Sequence, residues 1–131
     1  MEVKILELDK KVDNRGWLAE ILRAENLKRK DFGQIMVTAA NPGMVKGNHY
    51  HTRKHEWFCV IKGKAKLLLK DKNSGEEKEI IMDSDSPVAV ELPLGITHAI
   101  KNIGDDEMML LVYIDEPFNK DDSDTFSDKI L

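Results

Sequence analysis

Cysteine is almost absent from this chain of 131 residues; Cys59 stands alone. No internal disulfide can form, so stability has to come from packing, and the length suffices for a core. Cys59 falls in the apolar run Trp57-Phe-Cys-Val-Ile61, where a thiol reads as buried filler rather than a nucleophile. Long hydrophobic runs are missing too. Nothing approaches the roughly 20 apolar residues of a membrane helix, and the start Met1-Glu-Val-Lys is unlike a leader. These absences point to a cytoplasmic protein without membrane contact. Neither sign of charge prevails: 20 Lys and Arg stand against 24 Asp and Glu, a net −4. Without a basic stripe carrying aromatics, nucleic acid is not an expected partner. Linkers, repeats and low-complexity tracts are lacking as well. One domain is expected over residues 1–131, with 115–131 as a C-terminal extension. That tail is acidic and turn-rich, and it reads as solvated and loosely ordered.

Helical pattern is scarce; only Glu25–Asp31 has helical composition, and it is brief. Short β-type runs recur instead, near Val3–Leu8, Trp17–Arg23, Gln34–Ala39, Glu56–Ile61, Ala65–Lys70, Glu79–Met82, Val88–Leu92, His98–Ile103 and Met108–Ile114. Asn73-Ser-Gly75 reads as a hairpin turn between two of them, and Gly104-Asp-Asp106 as another. Many short strands separated by turns argue an all-β sandwich or barrel. If Glu56 faces the interior, so do Phe58 and Val60. Trp57, Cys59 and Ile61 then form an outward apolar face that needs a cover, and a second subunit is the usual one. A homodimer is therefore expected.

What the chain does have is four histidines in two short segments. The first runs Gly43-Met-Val-Lys-Gly-Asn-His49-Tyr-His51-Thr-Arg-Lys-His55-Glu56; the second runs Pro93-Leu-Gly95-Ile-Thr-His98. Residues two apart on a strand point the same way, so His49 and His51 can share a face. Glu56 is an odd step beyond His51, so Thr52–His55 must form a turn or bulge that resets the parity. His98 would close the site from a distant strand. His49, His51, Glu56 and His98 make a set of three nitrogens and one carboxylate, suited to zinc, iron, manganese or nickel, with room left for water or substrate.

Gly43-x5-His49-x-His51-x4-Glu56-x6-Gly63 resembles the first cupin motif, and Pro93-x-Gly95-x2-His98-x3-Asn102 the second. Pro87 stands where the second motif usually opens with glycine, a departure in a loop that touches no ligand. The resemblance implies the double-stranded β-helix of the cupins, a jelly roll. Asp13-Asn-Arg15-Gly16-Trp-Leu-Ala-Glu20 is similar to the opening of the cupin-like 3,5-epimerases of deoxysugar synthesis. Gly47-Asn-His-Tyr-His51, Leu94-Gly-Ile-Thr-His98 and Asn119 through Asp124-Thr-Phe126 resemble the C-terminal cupin of bifunctional capsular-polysaccharide enzymes. In that family the cupin domain binds zinc and epimerises C3 of a UDP-4-keto sugar, and a separate reductase domain follows it in the reaction sequence. The chain lacks a dinucleotide-binding glycine loop, so the resemblance implies the epimerase half, with a separate reductase as a partner.

Epimerisation beside a ketone needs a base, an acid and something to hold the enolate. His55 is a candidate base, since it adjoins the ligands without being needed as one. Tyr113 and Tyr50 are candidate acids, although strand parity turns Tyr50 away. Arg15 and Arg23 are candidates for the substrate phosphates, because guanidinium forks match phosphate geometry. Asn48 and Thr52 are placed to orient ligands. Two other functions fit the same ligand set. One is an Fe(II)-dependent cupin dioxygenase; the other is a non-catalytic module that binds a nucleotide sugar for a separate reductase.

Overall fold

The computed structural model describes residues 1–131. Two five-stranded antiparallel sheets stack face to face. The first contains β1 (Lys4–Glu7), β4 (Gln34–Ala40), β6 (Glu56–Lys62), β9 (Val88–Leu92) and β11 (Met108–Ile114), in the order β1-β9-β6-β11-β4. The second contains β5 (Val45–Tyr50), β7 (Lys64–Lys70), β8 (Glu77–Asp83), β10 (Thr97–Asn102) and β12 (Phe126–Ser127), in the order β12-β5-β10-β7-β8. β2 (Lys11–Asp13) and β3 (Gly16–Leu18) form a separate two-stranded hairpin. Alternation explains the stacking. Phe58 and Val60 of β6, Leu110 and Val112 of β11, Leu67 and Leu69 of β7 and Ile100 of β10 meet between the sheets and are almost wholly buried. Each such side chain contributes about 1.5–3 kcal/mol when taken from water.

The parity argument for Glu56 holds: Glu56 and Phe58 point inward, while Trp57 and Cys59 lie outside the inter-sheet core. Those two are nevertheless 2% and 1% exposed, and the cover comes from the chain itself. The segment from Ala19 to Gly33 crosses that face. Phe32 packs on Tyr113 with ring centroids 5.6 Å apart, and Tyr113 packs on Trp57 at 5.7 Å. Gly33 makes the approach possible, since a Cβ there would lie 2.0 Å from the Ile114 carbonyl oxygen. Burial of Trp57 and Cys59 thus needs no second subunit. The burial also pushes the Cys59 thiol up to about 11, which leaves it inert.

Three expectations for local structure are corrected. The Trp17–Arg23 strand is only Gly16–Leu18, and the helical stretch at Glu25–Asp31 is a single 3-10 turn at Ala24–Asn26. Too few residues follow Asn26 before the chain must dock on the sheet for a helix to repay its nucleation. Gly104-Asp-Asp106 is not a hairpin turn, because β10 and β11 belong to different sheets and the turn carries the chain between them. β5 and β12 carry no apolar alternation and escape the hydrophobic pattern altogether.

Candidate metal centre

The site lies at one end of the sandwich, where β5 ends, β6 begins and β10 begins. β5 and β10 pair so that His49 faces His98, but the next pair is Gly47 with Ala99. Asn48 is the extra residue of this bulge, with φ of 62°. Asparagine tolerates the left-handed region better than most residues. Gly47 has to be glycine: its φ is 95°, and a Cβ would sit 2.9 Å from the His98 carbonyl oxygen. This close pairing brings the rings of His49 and His98 edge to face at 4.6 Å. His51 follows β5 and faces the same way, with its ring 5.4 Å from that of His49 and 5.5 Å from that of His98. One ring nitrogen from each of the three lies within 4.8 Å of the others.

Glu56 enters from the first residue of β6. Its Oε2 lies 2.8 Å from His51 Nε2 and 3.6 Å from His98 Nε2. Thr52–His55 is the irregular turn that the odd spacing required. His51 Nδ1 lies 2.7 Å from the Asp124 carbonyl oxygen, which can only accept, so Nδ1 carries the hydrogen and Nε2 is presented to Glu56. Burial pulls the His51 value down, but the hydrogen bond and charge of Glu56 and the Asp124 carbonyl outweigh it and hold it above the usual range. For Glu56, burial pushes the carboxyl up, and the His51 hydrogen bond with the neighbouring imidazoles brings it below its usual range. His98 is pushed down to about 4 by burial, so it is neutral at ordinary pH and its lone pair is available. Burial likewise lowers His49.

One observation tests whether a cation fits. His98 Nε2 is fully buried and has no hydrogen-bond partner. An unpaired buried polar atom is costly and rare. Two neutral imidazoles, a third fixed by a carbonyl and an ionised carboxylate at one point match the ligand chemistry of a divalent transition ion.

The acidic tail is not loose. β12 pairs with β5, Phe126 opposite Tyr50 and Ser127 opposite His49. The Asp124 carboxylate accepts from the backbone N–H groups of Thr52, Arg53 and Lys54 at 2.8–3.0 Å, and from the Thr52 hydroxyl at 2.6 Å. Those bonds overcome the effect of burial and hold its carboxyl far below the usual range. Asn48 Oδ1 accepts from the N–H groups of Ile130 and Leu131. Thr52 therefore supports His51 through Asp124, and Asn48 ties down the C-terminus. Asp124 was missed in the sequence because its role depends on a contact 73 residues away.

Around the cluster is a cavity of about 280 Å³, lined by Gln34, Met36, His49, His51, Lys54, Glu56, Ile114, Phe118 and Thr125. His55 and Tyr113 do not belong to it. His55 lies on the other side of β6, beside Trp57, with Nδ1 2.9 Å from Asp115 Oδ2. Tyr113 pairs with Trp57 in register, and its hydroxyl accepts from the Gly33 N–H. Strand alternation puts Tyr113 across the sheet from Glu56, and His55, in the turn before β6, sits by Trp57 on that same side. Tyr50 faces outward as well, stacked on Phe126 and accepting from Lys72. Arg15 is at the tip of the β2–β3 hairpin, exposed and paired with Asp13 at 2.6 Å. Arg23 is exposed and paired with Glu20 and Glu25. Neither arginine lines the cavity of its own chain.

Residues 11–126 match the family described as "Polysaccharide biosynthesis C-terminal domain". A UDP-2-acetamido-2,6-β-L-arabino-hexul-4-ose reductase of Pseudomonas aeruginosa is 36% identical over 115 residues, 88% of this chain and 30% of that protein. The crystal structure of the capsular polysaccharide assembling protein CapF from Staphylococcus aureus superposes with a TM-score of 0.75 at 34% identity, covering 94% of this chain and 34% of the other. The chain thus spans about a third of the length of these two relatives. A 3,4-ketoisomerase from Helicobacter canadensis superposes with a TM-score of 0.80 at 22% identity, over 98% of this chain and 92% of the other. The fold is the all-β cupin double-stranded β-helix.

Proposed function

The chain belongs to the polysaccharide biosynthesis C-terminal domain family, and on that premise we propose that it is a metal-dependent epimerase or isomerase of a nucleotide-linked 4-keto sugar. The observation that carries the proposal is the His49, His51 and His98 cluster beside Glu56, with a buried, unpartnered His98 nitrogen at its centre. Relatives that act on UDP-linked hexulose or assemble capsular polysaccharide support the substrate class.

His49, His51, His98 and Glu56 would hold the ion, with zinc favoured by the ligand mix. A divalent ion there would polarise a substrate carbonyl and offset charge developing on its oxygen. The chain's own residues supply the rest. The Asp124 carbonyl fixes the His51 tautomer, so that its Nε2 faces Glu56 and the cluster. Gln34 Oε1 accepts from the Phe118 N–H at 2.7 Å, which holds Phe118 against the mouth and leaves the Gln34 amide N–H groups free for sugar hydroxyls. Met36, Ile114 and Phe118 give the cavity apolar walls. His55 and Tyr113 do not line this cavity. A separate reductase would consume the epimerised ketone.

The test is deuterium incorporation at C3 of a UDP-4-keto sugar in D2O. Exchange should require the ion and stop on chelation. Exchange at an equal rate in metal-free protein would exclude the proposal.

A further inference from the structure

Lys54 buries its aliphatic stem and presents an ammonium that makes no ion pair. The residue is 3% exposed and lines the cavity beside His49, His51 and Glu56. Its backbone N–H is held by Asp124 at 2.9 Å, which fixes the start of the side chain. The ammonium makes no ion pair, and each carboxylate that could serve is engaged elsewhere. Glu116 accepts from Arg53 at 2.8 and 3.0 Å and lies 3.4 Å from Arg29. Asp124 is occupied by the Thr52–Lys54 turn, and Glu56 by His51. The Phe118 ring centroid lies 5.8 Å from Nζ, and Glu116 feels the Lys54 charge without forming an ion pair with it. A cation on the cavity wall, with every neighbouring carboxylate engaged elsewhere, is placed for a negative charge that arrives from outside.

We propose that Lys54 is a catalytic residue of this cavity, its ammonium stabilising the oxyanion formed on the substrate's ketone oxygen. The inference rests on the epimerase reading above. As the α-proton leaves to a base, the C3–H electron pair becomes the C3–C4 double bond and the carbonyl π pair moves to the oxygen. That oxygen gains a full negative charge, which a preformed cation stabilises more than it stabilises the neutral ketone. Return of the proton to the opposite face restores the carbonyl and releases the charge.

The experiment compares Lys54→Met, Lys54→Gln and Lys54→Arg in the zinc-loaded full chain. Lys54 is not one of the ligands, so zinc content should stay stoichiometric in all three. Lys54→Met keeps the buried aliphatic stem at nearly constant volume and breaks no ion pair, so Tm should hold. C3 exchange in D2O should fall about 100-fold or more in Lys54→Met and Lys54→Gln, chiefly in kcat, with partial rescue in Lys54→Arg. A second arm does not depend on epimerisation. Oxalate, a planar dianion resembling an enediolate, is titrated calorimetrically into the zinc-loaded protein. Wild type should bind it, Lys54→Met at least about tenfold more weakly, and Lys54→Arg nearly as well as wild type. If wild type exchanges no deuterium, the epimerase reading fails while the oxalate arm still judges Lys54. Unchanged oxalate affinity in Lys54→Met, no binding by wild type, or a Tm loss in Lys54→Met like that of a core truncation overturns the proposal.

Discussion

The C-terminal tail and the β2–β3 hairpin are both short, charged and peripheral in sequence, yet they sit in opposite physical states. In the tail, one aspartate is 5% exposed and its carboxylate accepts bonds from four donors of the Thr52–Lys54 turn. In the hairpin, Arg15 and Asp13 pair at 2.6 Å in full contact with water. The tail's bonds are made to three consecutive main-chain N–H groups, that of Lys54 buried, so losing them leaves donors without an acceptor in the fold. The hairpin's pair exchanges one solvated state for another, and such pairs count for little. Composition does not separate the two cases; what separates them is whether the charge meets main-chain donors of a distant turn or only its own neighbour's side chain.

The largest effect expected at the tail-buttressed end is on the ion. His49→Ala with His51→Ala should abolish stoichiometric zinc binding, because His98 and Glu56 alone make a poor chelate. Metal analysis after dialysis checks this, and full retention would place the ligands elsewhere. Next comes Asp124→Ala. Three main-chain donors and a hydroxyl lose their acceptor, and a stability loss of about 2–3 kcal/mol is expected from denaturant unfolding. Zinc affinity should fall too, since the tail no longer presses its carbonyl on His51; losses of about tenfold or more are typical when such a support is removed. A variant as stable as wild type would erase the contrast with the hairpin.

The same carboxylate makes a pH signature. Its folded value lies below the unfolded one of about 3.9. The folded state therefore binds the proton less readily than the unfolded chain. The stabilisation is fully present above the unfolded value and is lost as pH falls through the folded one. Unfolding free energy measured between pH 5 and 2 should thus decline less steeply in Asp124→Asn than in wild type. Equal slopes would mean that the Asp124 bonds contribute nothing to the acid limb.

Much of this was legible in the sequence, and the parts that were not share a cause. The histidines and Glu56 announced themselves through spacing, because strand parity is a local property. The parity of Glu56 along β6 gave the core face and the outward placement of Trp57 and Cys59. What covers that face did not follow, since Ala19–Gly33 has no periodicity and docks through single contacts such as Phe32 on Tyr113. His55 looked available because adjacency in sequence suggests adjacency in space, yet consecutive strand residues face opposite ways. Lys54, two residues before Glu56 and on its side, was overlooked by the same habit. Asp124 depended on a fold-back that no pattern within the tail reveals.

The smallest effect should come from the hairpin. Arg15→Ala removes a guanidinium whose side chain is 86% exposed and whose partner Asp13 is itself half exposed. Asp13 Oδ1 also accepts from the Arg15 backbone N–H at 2.8 Å, a bond the substitution keeps, so the turn retains its own lock. The hairpin packs in neither five-stranded sheet and supplies nothing to the inter-sheet core. Tm should therefore move by less than about 2 °C, and zinc content should not move at all. Asp124→Ala measured beside it sets the scale. A larger loss in Arg15→Ala would mean that the hairpin is buried in solution, against a second copy of the chain. Weaker UDP protection with Tm and zinc unchanged would instead mark Arg15 as a phosphate contact delivered to a cavity other than its own.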